Sequence, residues 1–168
     1  MCYWLILPAF STAQRASRRQ ECGRNFSITS HAVAPLVATA SLTMERGKAL
    51  QVTWTAPGKP DVARMRVYVD ISHHGGTKGK IECDVAASGS MSIDATLVNG
   101  LLDMGVAGFP KTELHRYARG TATVSKGVVK FEVDSSVTRP LSIVGFTSCN
   151  TDADCAGKTC QPNALCAR

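Results

Sequence analysis

Residues 62–71 read Val-Ala-Arg-Met-Arg-Val-Tyr-Val-Asp-Ile and give the clearest structural signal in the chain. From Met65 to Ile71 every second side chain is apolar, while the positions between them hold arginine, tyrosine and aspartate. Strict alternation of this kind is typical of a β-strand with one face buried and the other in water. The segment therefore predicts a strand in a sheet that covers a hydrophobic core.

Comparable short segments lie on either side of this strand. Residues 48–55 alternate in the same way around Trp54, and a turn rich in proline and glycine follows at 57–60. Residues 80–86 form a further predicted strand, after a long turn at 73–79 that contains three glycines. Glycine adopts positive φ without steric cost, which suits such a turn.

The last third of the domain also reads as strands. Residues 113–124 and 128–134 alternate on either side of Ser-Lys-Gly at 125–127, which is a compact hairpin signal. Residues 141–146 form a last predicted strand. Several short strands separated by turns favour a mainly β fold.

One segment breaks the two-residue rhythm. Apolar side chains recur at steps of four, four and three residues, at Ile93, Leu97, Leu101 and Met104. This spacing predicts one short helix over residues 93–104, with Asp94 capping its first amides and Gly105 ending it.

Together these elements favour a two-sheet antiparallel sandwich over residues 36–147. This region resembles immunoglobulin-like and fibronectin type III-like sandwiches. The resemblance is carried by the closing hairpin and by two strand motifs, Leu50-x-Val52-x-Trp54 and Val67-x-Val69-x-Ile71.

The last twenty residues have a different composition. Four cysteines crowd into a segment of small and polar residues, at Cys149, Cys155, Cys160 and Cys166. A segment with so few large apolar residues needs covalent links to hold a structure, so residues 148–168 are predicted to be a tail with two disulfides. Three pairings are possible, and one of them joins Cys149 to Cys160 and Cys155 to Cys166.

The start of the tail, Cys149-Asn-Thr-Asp-Ala-Asp-Cys155, resembles a four-cysteine element of bacterial surface proteins and predicted lipoproteins. The resemblance implies a location in the cell envelope and implies no particular chemistry. Disulfides persist in oxidising compartments, which also favours an extracytoplasmic protein.

The first 35 residues are predicted to be an arm outside the sandwich. Residues 3–10 are apolar like the centre of a signal peptide, yet no positive segment precedes them, and they are too few to span a bilayer. Cys22 in this arm could form a disulfide with Cys83, whereas Cys2 lies where a processed segment would be. The alternative for Cys83 is a buried thiol that packs as a small apolar side chain.

The distribution of charge and the lack of catalytic motifs exclude several classes of function. The net charge of +6 is spread along the 168 residues without the clustered basic and aromatic residues that nucleic-acid binding needs. No nucleophile elbow or metalloprotease motif occurs in the sequence. We therefore expect no enzyme, no cofactor and no nucleic-acid partner.

Several residues are candidates for ligand contacts. In the glycine-rich turn these are His73, His74 and Lys78; in a predicted strand they are Arg116, Tyr117 and Arg119, as a polar and aromatic patch. The alternatives are solvated turn histidines and ordinary surface charges on an edge strand. Loops at 57–61, 73–79 and 105–112 are further candidates, because loops on rigid sandwiches often carry recognition.

Two aspartates in the tail, Asp152 and Asp154, are weak candidates for a calcium site. Alternate carboxylates resemble part of a calcium loop, but further acidic ligands are lacking. The alternative is that both side chains cap local backbone amides.

The sequence thus predicts a non-catalytic binding or adhesion protein at the cell surface, with an unidentified protein or glycan as its ligand. The alternative is a secreted inhibitor or enzyme accessory module that acts through the cysteine-rich tail.

Overall fold

The computed structural model describes residues 2–5, 42–58, 62–71 and 79–168, and about half of these described residues lie in strands. The elements of these residues are, in chain order, β1 (Cys2–Leu5), β2 (Leu42–Met44), β3 (Leu50–Thr53), β4 (Arg64–Asp70), β5 (Lys80–Ala86), β6 (Ser90–Ile93), α1 (Ala95–Asp103), β7 (Lys111–Val124) and β8 (Gly127–Ile143), followed by one turn of 3-10 helix at Asp152–Cys155. The mainly β class predicted from the alternation is confirmed. None of the helices in the described residues is long and apolar enough to cross a membrane.

Six strands form one curled sheet in the order β1-β5-β4-β7-β8-β2. The strand that dominates the sequence, β4, lies inside this sheet, where Val67 is opposite Cys83 of β5 and Leu114 of β7. Neighbouring strands are antiparallel except for β2 and β8, which run parallel from the pair of Leu42 and Leu141 onward. The sheet is therefore mixed, although the sequence predicts antiparallel pairing throughout.

A two-stranded sheet of β3 and β6 and the helix α1 share one hydrophobic core with the large sheet. Met65, Val67 and Val69 of β4 are fully buried in this core together with Leu101, and Trp54 is nearly so. Burying one such aliphatic side chain stabilises the fold by about 1.5–3 kcal/mol relative to leaving it in water. The apolar residues that alternate along β4 therefore face the core, as the sequence pattern predicts.

The predicted helix is confirmed, but it runs from Ala95 to Asp103 and not over the whole range 93–104. The Asp94 side chain accepts a hydrogen bond from the backbone N–H of Thr96 at 2.7 Å, so it caps the helix as expected. Gly105 follows the last turn with a φ of +90°, a conformation that glycine adopts readily. Ile93 belongs to β6, because it pairs with Leu50 across the small sheet.

The strands predicted at 128–134 and 141–146 are wrong as separate elements, since a single strand, β8, runs from Gly127 to Ile143. Pro140 lies inside β8 although proline lacks an N–H group. It pairs with Lys111 of β7, and the neighbouring strand β2 begins only opposite Leu141. Proline is tolerated at such an edge position of a sheet.

Three disulfides join the described residues. In the tail, Cys149 pairs with Cys160 and Cys155 with Cys166, so two loops of equal length interleave. Cys83 pairs with Cys2 because β1 places Cys2 directly opposite Cys83; of the alternatives that the sequence leaves open for Cys83, neither the disulfide with Cys22 nor the free thiol is formed. Cys22 and the rest of the predicted arm, residues 6–35, lie outside the described residues.

The tail packs onto the domain. Leu165 is only 5% exposed and belongs to the same hydrophobic core as the strands. The backbone N–H of Gly108 donates to the carbonyl of Asn163 at 2.7 Å, and the Ser148 hydroxyl donates to the carbonyl of Gly108. The tail is therefore connected to the sheet by apolar burial and hydrogen bonds as well as by the chain itself.

Asp154 makes the tail sensitive to acid. Its Oδ2 atom accepts hydrogen bonds from the backbone amides of Asn150 and Thr151 at 2.8 and 3.0 Å, and these bonds lower the pKa of its carboxyl group. A carboxyl group with a lowered pKa in the folded state stabilises the fold above its unfolded pKa. This stabilisation is lost as the pH falls through the folded pKa.

We expect Asp154→Asn to lower the unfolding temperature at neutral pH, by a difference from the wild type that shrinks at acidic pH as Asp154 becomes protonated. Thermal unfolding followed by circular dichroism at both pH values tests this. Asp103→Asn is the control, because Asp103 is exposed and its contact is a surface ion pair with Arg46. A difference between Asp154→Asn and wild type that persists unchanged in acid would contradict the prediction.

Candidate functional site

The face of the large sheet that points away from the core is polar and continuous. Alternate residues of four adjacent strands contribute to it, because successive side chains of a strand point to opposite sides. We call this set the polar face: Arg64, Arg66, Tyr68, Lys80, Glu82, Asp84, Lys111, Glu113, His115, Tyr117, Arg119, Glu132 and Asp134.

Two aromatic rings organise one half of the polar face. The Lys80 ammonium group lies 4.4 Å from the centre of the Tyr68 ring, and the rings of Tyr68 and His115 meet edge to face at 5.5 Å. His115 Nδ1 is 3.2 Å from both carboxylate oxygens of Asp134. Its Nε2 atom is 3.9 Å from a carboxylate oxygen of Glu113, so both ring nitrogens face acidic groups.

Tyr117 organises the other half. Its ring is fully buried between two guanidinium groups, with Arg66 at 4.5 Å and Arg119 at 4.8 Å from the ring centre. Its hydroxyl group donates a hydrogen bond to Asp84, which also accepts one from Arg64 at 2.7 Å. Stacking of this kind covers an aromatic ring on the solvent side of a sheet.

The hydrogen bonds of this half shift the acid–base properties of Asp84. Partial burial by itself raises the pKa of this carboxyl group, but the bonds from Tyr117 and Arg64 outweigh burial, and the pKa is lowered. On the other half, the bond from Lys111 lowers the pKa of Glu113 in the same direction. Both carboxyl groups are therefore held in the charged form.

Tyr117→Phe is expected to destabilise the fold by about 2 kcal/mol, since it removes a hydrogen bond to a charged and partly buried carboxylate. The same change should raise the pKa of Asp84. Chemical unfolding measures the first effect, and an NMR titration of the Asp84 carboxyl carbon measures the second. Equal stability and an unchanged pKa would mean that the hydroxyl group does not donate to Asp84 in solution.

The predicted contact patch is divided between the two faces of β7. Arg116 points into the core, where it is 1% exposed and donates a hydrogen bond to the carbonyl oxygen of Thr55. Tyr117 is buried beneath arginines, so of the three residues only Arg119 has an exposed side chain. Arg116 and Tyr117 are therefore not available for direct contact with a ligand.

The predicted turn contacts, His73, His74 and Lys78, lie outside the described residues. In the loop before β7, Val106 is buried and Phe109 is exposed, beside the tail. Of the predicted loop at 105–112, this places one large apolar side chain, Phe109, at the surface.

The tail aspartates bind backbone amides. Asp154 accepts the two hydrogen bonds described above, and Asp152 Oδ1 accepts one from the backbone N–H of Cys160 at 2.6 Å. Three tail sulfur atoms, of Cys149, Cys155 and Cys166, lie within 4.8 Å of one another, but all of them belong to disulfides and are not thiolates that could bind a metal. The carboxylates of Asp152 and Asp154 and the three sulfur atoms are therefore all engaged in bonds within the tail.

Sequence reasoning missed Tyr68, His115 and Asp134 as a cluster. The signal that could have found them is strand register, because His115 is opposite Arg66 on β4 and diagonal to Asp134 on β8. Register depends on which strands are neighbours, and short-range patterns do not determine that.

Comparison with known proteins gives no match for this chain. No protein-family model, no curated protein and no solved structure matches the sequence or the fold.

Proposed function

We propose that this chain is a non-catalytic, extracytoplasmic binding or adhesion protein of the cell surface, and that its polar face contacts a surface glycan. The observation that carries the proposal is the polar face itself, where aromatic rings stand among charged groups that are already paired with one another. Three disulfides support the proposed extracytoplasmic location, because disulfides persist in an oxidising environment.

The geometry around His115 favours binding over catalysis. A histidine that acts as a general base needs one ring nitrogen directed at the group it deprotonates. In the polar face, Nδ1 is within 3.2 Å of Asp134 and Nε2 is 3.9 Å from Glu113. Acidic groups therefore hold the ring from both sides, as suits a fixed contact surface.

The charge pattern favours a ligand without a strong charge of its own. Arg64 pairs with Asp84, Lys111 with Glu113 and Arg119 with Glu132, each at 2.6–2.7 Å. A face neutralised in this way offers hydrogen-bond donors and acceptors together with the rings of Tyr68 and His115. Sugar hydroxyl groups both donate and accept hydrogen bonds, and the apolar side of a sugar ring can stack on an aromatic ring.

The fold proposal that accompanies this function is a divergent immunoglobulin-like sandwich. In its favour, the large sheet and the β3–β6 sheet share one core, and this core includes Trp54 at 4% exposure. Two packed layers of this kind would keep a contact face in a fixed geometry.

Binding of fluorescently labelled protein to an array of neutral and anionic oligosaccharides tests the function. We expect binding to a subset of neutral glycans and a loss of roughly tenfold or more in affinity for Tyr68→Ala. The matched control is Lys158→Ala, an exposed residue of the tail. Before binding is compared, thermal unfolding must show that both variants are folded and as stable as the wild type.

The same pair of variants separates the two functions predicted from the sequence. Loss of binding with Lys158→Ala and none with Tyr68→Ala would transfer the contact to the tail and support the inhibitor or accessory module. An absence of binding to every glycan on the array would overturn the glycan assignment.

A further inference from the structure

Strands β7 and β8 extend beyond the rest of the large sheet. Contacts of β7 with β4 end at Tyr117, and contacts of β8 with β2 begin only at Leu141. Between these limits, residues 118–124 and 127–133 pair with each other across a two-residue turn. We call residues 118–133 the hairpin arm; seven residues on each side give it a length of roughly 20 Å.

Both edges of the hairpin arm are unpaired with any strand of the described residues. An isolated two-stranded ribbon is marginally stable in water, and it gains stability when a third strand or a packed face is added. Unpaired strand edges also expose rows of backbone donors and acceptors that can pair with another chain. The arm is therefore built to receive a further strand.

One side of the hairpin arm is apolar. On β7, Thr112 and Leu114 point into the core. Every second residue beyond them lies on the same side of the strand, but along the arm this side is no longer covered by the core. The residues on this side are Ala118, Gly120, Ala122, Val124, Val129, Phe131 and Val133. Val129 is 49% exposed and Val124 is 38% exposed, so this apolar side is open in the monomer.

Phe131 lies at the middle of the apolar side. Its ring covers Gly120 on the opposite strand so closely that a side chain at Gly120 would collide with it. A depression of about 620 Å³ lies along the arm at this point. The aromatic ring is thus held in place by its own hairpin.

We propose that the hairpin arm is a dimerisation element, in which β8 pairs antiparallel with β8 of a second copy of this chain about a two-fold axis at Phe131. This register puts Phe131 opposite Phe131 of the second copy and Val129 opposite Val133 of the second copy. The two ribbons then form one four-stranded sheet with a continuous apolar side.

Charge complementarity selects this register. It sets Lys130 opposite Glu132 of the second copy on the polar side, and the two-fold axis repeats that pair. A lysine on an edge strand ordinarily opposes pairing, but a glutamate two residues later makes the edge complementary to itself.

The neighbouring registers are worse. A two-fold axis at Lys130 sets two lysines against each other, and an axis at Glu132 sets two glutamates against each other. A shift by one residue places the apolar side of one copy beside the polar side of the other. The observations therefore favour a second copy of this chain as the occupant of the edge.

A charge exchange tests the proposal. In a homodimer, Lys130→Glu alone sets the introduced carboxylate against Glu132, and Glu132→Lys alone sets the introduced ammonium group against Lys130. We expect each variant to self-associate roughly thirtyfold more weakly than the wild type, because two attractive pairs become repulsive. Mixed in equal amounts, the two variants should form a heterodimer of near wild-type affinity, since every pair is again of opposite charge.

Sedimentation velocity of full-length protein, from low micromolar to submillimolar concentration, measures these equilibria. Phe131→Ala should weaken the dimer as well, while Val144→Ala, at an exposed valine outside the arm, should not. Glu132→Lys also breaks the ion pair with Arg119, but that pair is exposed and contributes little to folding.

Three results would overturn the proposal. These are a wild type that stays monomeric over the whole range, a dimer that none of the arm variants weakens, and two weakened variants that do not recover on mixing. The second and third results would assign the association to another surface or another register. None of them bears on glycan binding by the polar face, which is measured separately.

Discussion

Leu165→Ala is expected to destabilise the whole domain, and not only the tail, by about 3 kcal/mol. Leu165 is 5% exposed and packs in the core that the large sheet and α1 share. Removing its side chain beyond Cβ loses the transfer free energy of the buried atoms and leaves a cavity. The polar composition of the tail hides this role, because one leucine among twenty residues looks incidental.

Chemical unfolding monitored by the fluorescence of the tryptophans measures the effect, since Trp54 reports on the core and lies far from Leu165 in sequence. Val144→Ala serves as the control: Val144 is close to the tail but 54% exposed, and its loss should change the free energy of unfolding by less than about 0.5 kcal/mol. If Leu165→Ala alters disulfide reduction in the tail but leaves the Trp54 transition unchanged, the tail is an independent unit and the prediction is wrong.

Arg116→Ala is expected to cost about 3 kcal/mol of unfolding free energy. The side chain is 1% exposed on the core face of β7, opposite Met65, and its guanidinium group donates to the Thr55 carbonyl beyond the end of β3. Burial lowers the pKa of this group, which is the expected effect of desolvation on a cation. Arg116 thus connects the large sheet to the small one.

Arg119→Ala provides a control of the same residue type on the same strand. Arg119 has an exposed side chain that forms an ion pair with Glu132 and stacks on the Tyr117 ring, so its loss should cost about 1 kcal/mol, well below the loss for Arg116. Thermal and chemical unfolding of the two variants compare them directly. Equal losses would show that burial of Arg116 contributes nothing beyond an ordinary surface contact.

The sequence predicted correctly those elements whose structure is determined by residues close to one another in the chain. β5 has the bounds expected from the sequence, Lys80–Ala86, and α1 begins at the cap formed by Asp94. In both cases the decisive forces act within a few residues, as alternation in the strand and as hydrogen bonding at the helix end.

The failures involve competition between a local rule and the rest of the fold. Pro140 marks the end of a strand by propensity, yet an edge position tolerates it, so β8 continues. Arg116 belongs at the surface by charge but in the core by the alternation that buries Leu114, and the alternation prevails. Strands as short as β2 and β6 give too few positions for any pattern to be visible.

The candidate site was predictable only in part. The sequence indicates a polar side of the sheet through Arg66 and Tyr68, which alternate with buried residues. The contact of His115 with Asp134 joins β7 to β8, and it depends on the register of a long hairpin. Disulfide partners have the same difficulty, because the sequence offers Cys22 as a possible partner of Cys83, and only strand pairing shows that Cys2 lies opposite it.

The bond between Cys2 and Cys83 has a consequence for how the molecule responds to proteases. It closes the polypeptide from residue 2 to residue 83 into a covalent ring that is anchored in an interior strand of the sheet. A single cut anywhere in that ring opens it without releasing a fragment, and the mass rises only by one water molecule. The severed piece departs only after the disulfide is reduced, so a nicked molecule would remain in one piece in an oxidising environment.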